Sequence, residues 1–395
     1  MKKPTLKLLA ALFFLAMLSA CGGNDSDTEE IEEMEEEVEQ SAITQTFGGT
    51  IDMDNLPNYA NQAIPNYINK DNTGSNRITD EGATLGRVLF YDKNLSSDNT
   101  VSCSSCHQQS AAFGDLLQAS EGVNGTTGRH SMRLVNARFA DEENFFWDER
   151  ASSLEFQTTQ PIQDHVEMGF SGSEGDESIE DLIVKLQAIP YYQELFTHAF
   201  GDETVTEDRM QSAMAQFVRS IQSFDSRYDA GRATVGNDGA NFPNFSAQEN
   251  TGKQLFLARP TVNNGLRVGG GLGCAGCHRV PEFDIDPNSA SNGVFASLTG
   301  EGTDAEVTRS PSLRDIFDAN GQLNGGLMHT GDMTMEDVLD HYNNVPANAP
   351  NVDRRVRGQQ LQMTDDEKEA VVAFIKTLSG SDMYANEKWS DPFGN

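Results

Sequence analysis

At 395 residues, with 37% of them hydrophobic and few long apolar runs, the chain is a soluble globular protein long enough for two domains with real cores. A formal net charge of −33 excludes nucleic acid as a partner, and outside any lipid anchor it repels anionic lipid surfaces. It would steer a basic or locally positive partner at a rate that falls with salt, or simply keep the protein in solution.

The chain opens with Lys2, Lys3 and Lys7, an apolar run over residues 8–18, and then Ser19-Ala20-Cys21. This pattern predicts a secretion signal over residues 1–20, too short to span a bilayer comfortably. Leu18-Ser19-Ala20-Cys21 resembles the lipobox of bacterial lipoproteins, which implies cleavage before Cys21 and a lipid on its thiol; an ordinary signal with an incidental cysteine is the alternative. Gly22, where Asp would signal retention, implies by the same resemblance an outer-membrane lipoprotein facing the periplasm or the cell surface. Residues 22–40 hold ten acidic and no basic residues, so residues 21–50 are read as a flexible acidic tether.

The body begins with a predicted helix over residues 79–90, capped by Thr79 or Asp80 and ending Gly86-Arg87-Val88-Leu89-Phe90. Thirteen residues past Phe90 the chain reads Cys103-Ser104-Ser105-Cys106-His107. A Cys-x-x-Cys-His run suits covalent haem attachment: two thiols add to the two vinyl groups of one porphyrin, and the adjoining imidazole reaches the iron. The scheme recurs in the second half. Ser246 caps a helix ending Gly252-Lys253-Gln254-Leu255-Phe256, and a Gly-rich loop leads to Cys274-Ala275-Gly276-Cys277-His278. Phe113 and Phe283 follow the two histidines at nearly the same offset. The motifs use four of five cysteines and leave nothing for a disulfide. A shared tetrahedral zinc and a thioredoxin-like redox pair remain the alternatives.

Other elements complete an all-α reading with few or no strands. Residues 206–224 form an amphipathic helix whose Met210 and Met214 are spaced as core. Residues 230–244, rich in Gly and Asn, make a joint, and Thr364-Asp365-Asp366-Glu367 is a capping box opening a closing helix. The expected architecture is two cytochrome c-like haem domains in tandem, over residues 51–235 and 236–395.

Between the two motifs lies Phe145-Phe146-Trp147-Asp148-Glu149-Arg150, with Gln157, Pro161 and Glu167 at ten, fourteen and twenty residues past the Trp. Together with both haem motifs and with Ser310-Pro311-Ser312-Leu313-Arg314 before Met328-His329, this resembles the bacterial di-haem cytochrome c peroxidases and their MauG-type relatives over most of residues 75–380. The resemblance implies two covalently bound haem c groups with His107 and His278 as iron ligands. It also implies hydrogen peroxide as substrate at the first haem, Glu167 as acid and base, Gln157 as positioning group, and Trp147 as relay to the second haem. The chemistry is sound on its own terms, since a carboxylate can take a proton from one peroxide oxygen and return it to the other. At the second haem Tyr342 stands where peroxidases carry a Met, as in the MauG type; His341, Met333 and Met335 are the other candidates. No His occupies the loop over residues 120–125, which the resemblance makes the distal-ligand position of peroxidases that need reductive activation; His130, further on, is a candidate substitute. The family's calcium position is altered at His130, Asn324 and Gly326, which leaves one calcium ion an open cofactor. His329 is expected to support the second pocket, and His165 and His198 to be structural or superficial. The expected partners are a small electron donor, cytochrome c or cupredoxin, the membrane through the lipid, and a second copy in a homodimer. A MauG-like enzyme oxidising residues of a partner protein, or a non-catalytic electron-transfer lipoprotein, are the alternatives.

Overall fold

Helix starts in this chain are set by hydroxyl caps. Ser41, Thr79, Ser153, Thr206, Ser246, Thr334 and Thr364 each accept a hydrogen bond from the backbone N–H three residues on, worth about 1 kcal/mol apiece. The computed structural model describes residues 40–141, 143–298, 302–348 and 351–394. The expected signal, Cys21 and the acidic run to residue 39 lie outside the described residues.

In chain order the helices are α1 (Ala42–Phe47), α2 (Asp80–Tyr91), α3 (Cys103–Cys106), α4 (Leu154–Thr158), α5 (Ile179–Gln187) and α6 (Pro190–Phe200). They continue with α7 (Glu207–Ser220), α8 (Arg227–Arg232), α9 (Ala247–Leu257), α10 (Met335–Asn343) and α11 (Asp365–Lys376). Strands are few and short. Three antiparallel pairs join β1 (Glu121–Gly122) to β2 (Gly125–Thr126), β3 (Pro260–Asn263) to β4 (Leu266–Gly270), and β5 (His278–Arg279) to β6 (Asp284–Ile285). Among the described residues, no helix is long and apolar enough to cross a membrane.

Two helix pairs organise the cores. α2 packs along α7, and α9 along α11. A glycine brings each pair together: a Cβ on Gly86 would lie 2.0 Å from Ala213 O, and one on Gly252 would lie 1.8 Å from Ala370 O. Four residues past each contact stands a phenylalanine, Phe217 or Phe374, that closes an aromatic cluster. Phe90 meets Phe217 at 5.2 Å and Phe113 at 6.0 Å between ring centroids. Phe256 meets Phe374 at 5.4 Å and Phe283 at 5.9 Å. Phe113 and Phe283 share a left-handed backbone, with φ of 57° and 61°, so the weak repeat visible in the sequence is a repeat of packing.

Three expectations need correction. The tether does not reach residue 50, because α1 docks Ile43 and Phe47 in the first core and its first backbone N–H groups bond to the Glu194 carboxylate at 2.7 and 3.2 Å. The helix expected over residues 206–224 stops at Ser220, where Ile221 turns extended and buries itself instead. The joint expected over residues 230–244 begins inside α8, which Ser226 and Asp229 cap reciprocally. Beyond α11 the chain returns to the first half: Met383 and Trp389 join the cluster of Tyr59, Tyr91 and Phe113.

Candidate active site

Each Cys-x-x-Cys-His run ends on the wall of its own cavity. Cys103, Cys106 and His107 line one of about 810 Å³; Cys274, Cys277 and His278 line another of about 650 Å³. All four thiols are free. Burial pushes Cys103 and Cys274 up to about 12 and Cys106 up to about 11. A redox pair needs a lowered thiol pKa, so that alternative loses its chemistry. Among the described residues no group of three or more His, Cys, Asp or Glu could hold a metal ion, so the two pairs do not converge on a zinc.

The imidazoles suit iron. His107 Nδ1 lies 3.1 Å from Phe113 O, and when Nδ1 donates there the Nε2 lone pair is left for a metal. Burial lowers the pKa of His107, and burial followed by Arg355 pushes His278 down to about 4, which keeps both rings neutral. His278 Nδ1 is buried without a hydrogen-bond partner. Neutral thiols and a neutral imidazole on the wall of each cavity are the donor set that a thioether-linked haem requires.

Glu167 and Gln157 line the first cavity, the one that holds His107. Gln157 comes from α4, whose Leu154, Gln157 and Thr158 share the cavity face. Arg219 of α7 clamps that helix through Glu155, with Nη2 3.1 Å from Oε2. Glu167 sits in a turn that Asp164 builds: Asp164 Oδ1 accepts from Val166 N at 2.8 Å and Glu167 N at 3.1 Å. The β1–β2 hairpin holds the turn from the other side, Val123 N donating to Glu167 O at 3.0 Å and Asn124 N to Val166 O at 3.1 Å. A Cβ on Gly122 would lie 2.1 Å from Val166 O, so glycine is required for that approach. Burial, helped by the Asp164 charge and opposed by Arg150, raises Glu167 to about 7. That is the range in which a carboxyl both releases and accepts protons near neutrality.

Trp147 lines both cavities. Its Nε1 donates to His130 O at 2.7 Å, and its carbonyl accepts from Thr308 N at 3.0 Å and Arg309 N at 3.1 Å. It is 9% exposed and so forms part of the partition between the two spaces. In the second cavity, Met335, Val338, Leu339 and Tyr342 occupy one face of α10. His341 falls off that face and directs Nε2 to Asn292 O at 2.9 Å. Burial and the nearby Cys277 raise the Tyr342 phenol well above its ordinary pKa.

The remaining candidates divide clearly. His130 is buried, lines both cavities, and has Nδ1 3.1 Å from Gln118 O. His329 lines the second cavity and has Nε2 2.9 Å from Ala296 O. Asn324 Nδ2 donates to Asp315 O and Tyr384 Oη, both at 2.8 Å. Gly326 borders the second cavity. Met210 is core and Met214 is core that also touches the first cavity. His165 pairs with Asp176 at 2.8 Å and His198 is exposed. Sequence reasoning missed the hairpin that holds Glu167, although Gly122 and Gly125 flanking Val123-Asn124 are a turn signal. It also missed Arg133, on the wall of both cavities.

Two haem-attachment motifs, each on its own cavity with a shared wall between them, define a chain built for two c-type haems. Residues 80–235 match the family model described as di-haem cytochrome c peroxidase. Over 319 residues the chain is 31% identical to the methylamine utilization protein MauG of Methylorubrum extorquens, covering 77% of this chain and 80% of that one. It is 28% identical over 312 residues to the cytochrome c551 peroxidase of Nitrosomonas europaea, covering 75% and 80%. A crystal structure of a MauG-like protein associated with microbial copper homeostasis superposes with a TM-score of 0.63 at 25% identity, over 84% of this chain and 99% of that one. The chain belongs to the family of di-haem cytochrome c peroxidases and MauG proteins.

Proposed function

We propose that this protein is a di-haem c-type peroxidase that reduces hydrogen peroxide with electrons from a small redox protein. The observation that carries the reading is Glu167, on the wall of the cavity that holds His107, with its pKa raised to about 7. The haems, one attached through Cys103 and Cys106 with His107 as ligand and one through Cys274 and Cys277 with His278 and Tyr342, supply a peroxide-binding iron and stored electrons. Glu167, ionised, takes a proton from the peroxide oxygen nearest it, and then returns that proton to the departing oxygen as water forms. Gln157 holds the peroxide by its side-chain amide, and Trp147 shortens the electron path across the partition. The balance is one peroxide, two electrons and two protons to two waters.

The two modules are assigned to residues 51–235 and 236–395, with α1 and the segment of Met383 and Trp389 added to the first, and export is assigned to residues 1–20, with Cys21 as the lipid anchor to the outer membrane. A second reading, a MauG-like enzyme that oxidises residues of a partner protein, is favoured by Tyr342 lining the second cavity in place of a thioether. The test is steady-state oxidation of a reduced small cytochrome or cupredoxin by peroxide, with the holoprotein as isolated. Turnover supports the peroxidase. Reaction with peroxide without turnover of any such donor sinks it and leaves the second reading.

A further inference from the structure

Arg133 is a cation without an anion. It is 9% exposed, its Nε is buried with no hydrogen-bond partner, and among the described residues no carboxylate lies within ion-pair distance of it. Burying a guanidinium unpaired is costly, and natural chains rarely retain one unless something neutralises it. Its surroundings hold it in place. Leu134 N donates to Phe113 O at 3.2 Å, fixing the segment, and the side-chain stem lies over Gly114, where a Cβ would come within 2.8 Å of Arg133 Cγ. The titratable groups facing it are His130, Asp315 and Tyr384. Asp315, the one acid among them, accepts from Gly380 N at 2.9 Å and Tyr384 Oη at 3.2 Å through Oδ1 alone; its Oδ2 is buried without a partner, and burial pushes the carboxyl up to about 6.

Arg133 also lines both cavities. A porphyrin tied to the two cysteines by its vinyl groups still carries two propionate carboxylates, so the group each cavity is built to hold brings its own anions. We propose that the Arg133 guanidinium binds a haem propionate at the boundary between the two cavities and thereby raises the reduction potential of that haem. The proposal rests on the two-haem reading. A fixed positive charge beside a haem favours the ferrous over the ferric state, and a guanidinium matches a carboxylate with paired donors.

The experiment is spectroelectrochemical titration of wild type, Arg133→Gln and Arg133→Lys holoproteins, with haem content measured from the alkaline pyridine adduct. Wild type without two covalent haems overturns the two-haem reading and the proposal with it. With both haems present, R133Q is expected to shift one ferrous-to-ferric equilibrium about tenfold toward ferric, a fall of about 59 mV for a one-electron couple, and R133K to recover most of it. Unchanged potentials in R133Q overturn the proposal, even if the variant melts earlier, because only packing is then at stake. If R133Q takes up no haem, uptake restored in R133K supports the charge. Failure in both variants overturns the proposal in favour of the shape of the stem.

Discussion

The two halves of the chain share a frame and differ in what hangs from it. Both carry Gly-x-x-Leu-Phe on a helix whose glycine touches a partner helix, and both set a left-handed phenylalanine after the haem histidine. The first half then adds residues 120–170, which bring Gln157 and Glu167 to its cavity, while the second offers the Met335–Tyr342 face of α10. A fold can therefore be duplicated with its packing rules intact while the two sites diverge, because the site residues sit on loops and on the cavity faces of α4 and α10.

The comparison can be tested by breaking each side. The largest effect expected is from Glu167→Gln, which removes the proton carrier and lowers kcat/KM for peroxide about 10²–10⁴-fold with the absorption spectrum of both haems unchanged. Loss of both activity and haem would instead place Glu167 among the structural residues. Next come Gly86→Ala and Gly252→Ala, each costing about 3 kcal/mol of stability by overpacking a helix contact, read as a lower melting temperature. If the frames are equivalent, the two losses match, and each perturbs the spectrum of its own haem alone. Tyr342→Phe, smaller in effect, should change only the second haem, raising its midpoint by about 59 mV for each tenfold shift of its one-electron equilibrium toward ferrous. An unaltered second-haem spectrum would exclude Tyr342 as its ligand.

The smallest effect concerns pH. Glu167 has a folded pKa of about 7, above the ordinary carboxyl value of 4.5, so folding favours its protonated form. The associated stability is fully present below pH 4.5 and is lost as pH rises through 7. Activity runs the other way, since the base must be ionised, and kcat/KM should climb through pH 7. Asp164→Asn, which keeps the Oδ1 acceptor and removes the charge, should move that climb to lower pH; an unmoved profile would show that Asp164 does not act on Glu167.

The mostly helical class and the two Cys-x-x-Cys-His runs were legible because their signals are local: hydroxyl caps, an amphipathic stripe, and a five-residue motif. Tyr342 over His341 was also legible in principle, since a helix puts residues 335, 338, 339 and 342 on one face. The seat of Glu167 was not, because it depends on a hairpin forty residues earlier meeting the Asp164 turn. Arg133 was equally hidden, since a lone basic residue in a loop reads as solvated until two cavities are found against it. Docking of α1 was missed because its two apolar anchors, Ile43 and Phe47, follow directly on a long acidic stretch.

The return of the C-terminal segment has a consequence for biogenesis. Trp389 is 1% exposed and donates from Nε1 to Ser220 Oγ at 3.2 Å, while Arg87 Nε donates to Ser390 O at 2.6 Å. The core around the first Cys-x-x-Cys-His run is therefore completed only when residues 383–390, which follow the second run in the chain, have packed against it. Attachment of the proposed haem at Cys103 and Cys106 would then precede that closure, since Cys103 packs against the same cluster as Met383 and Trp389.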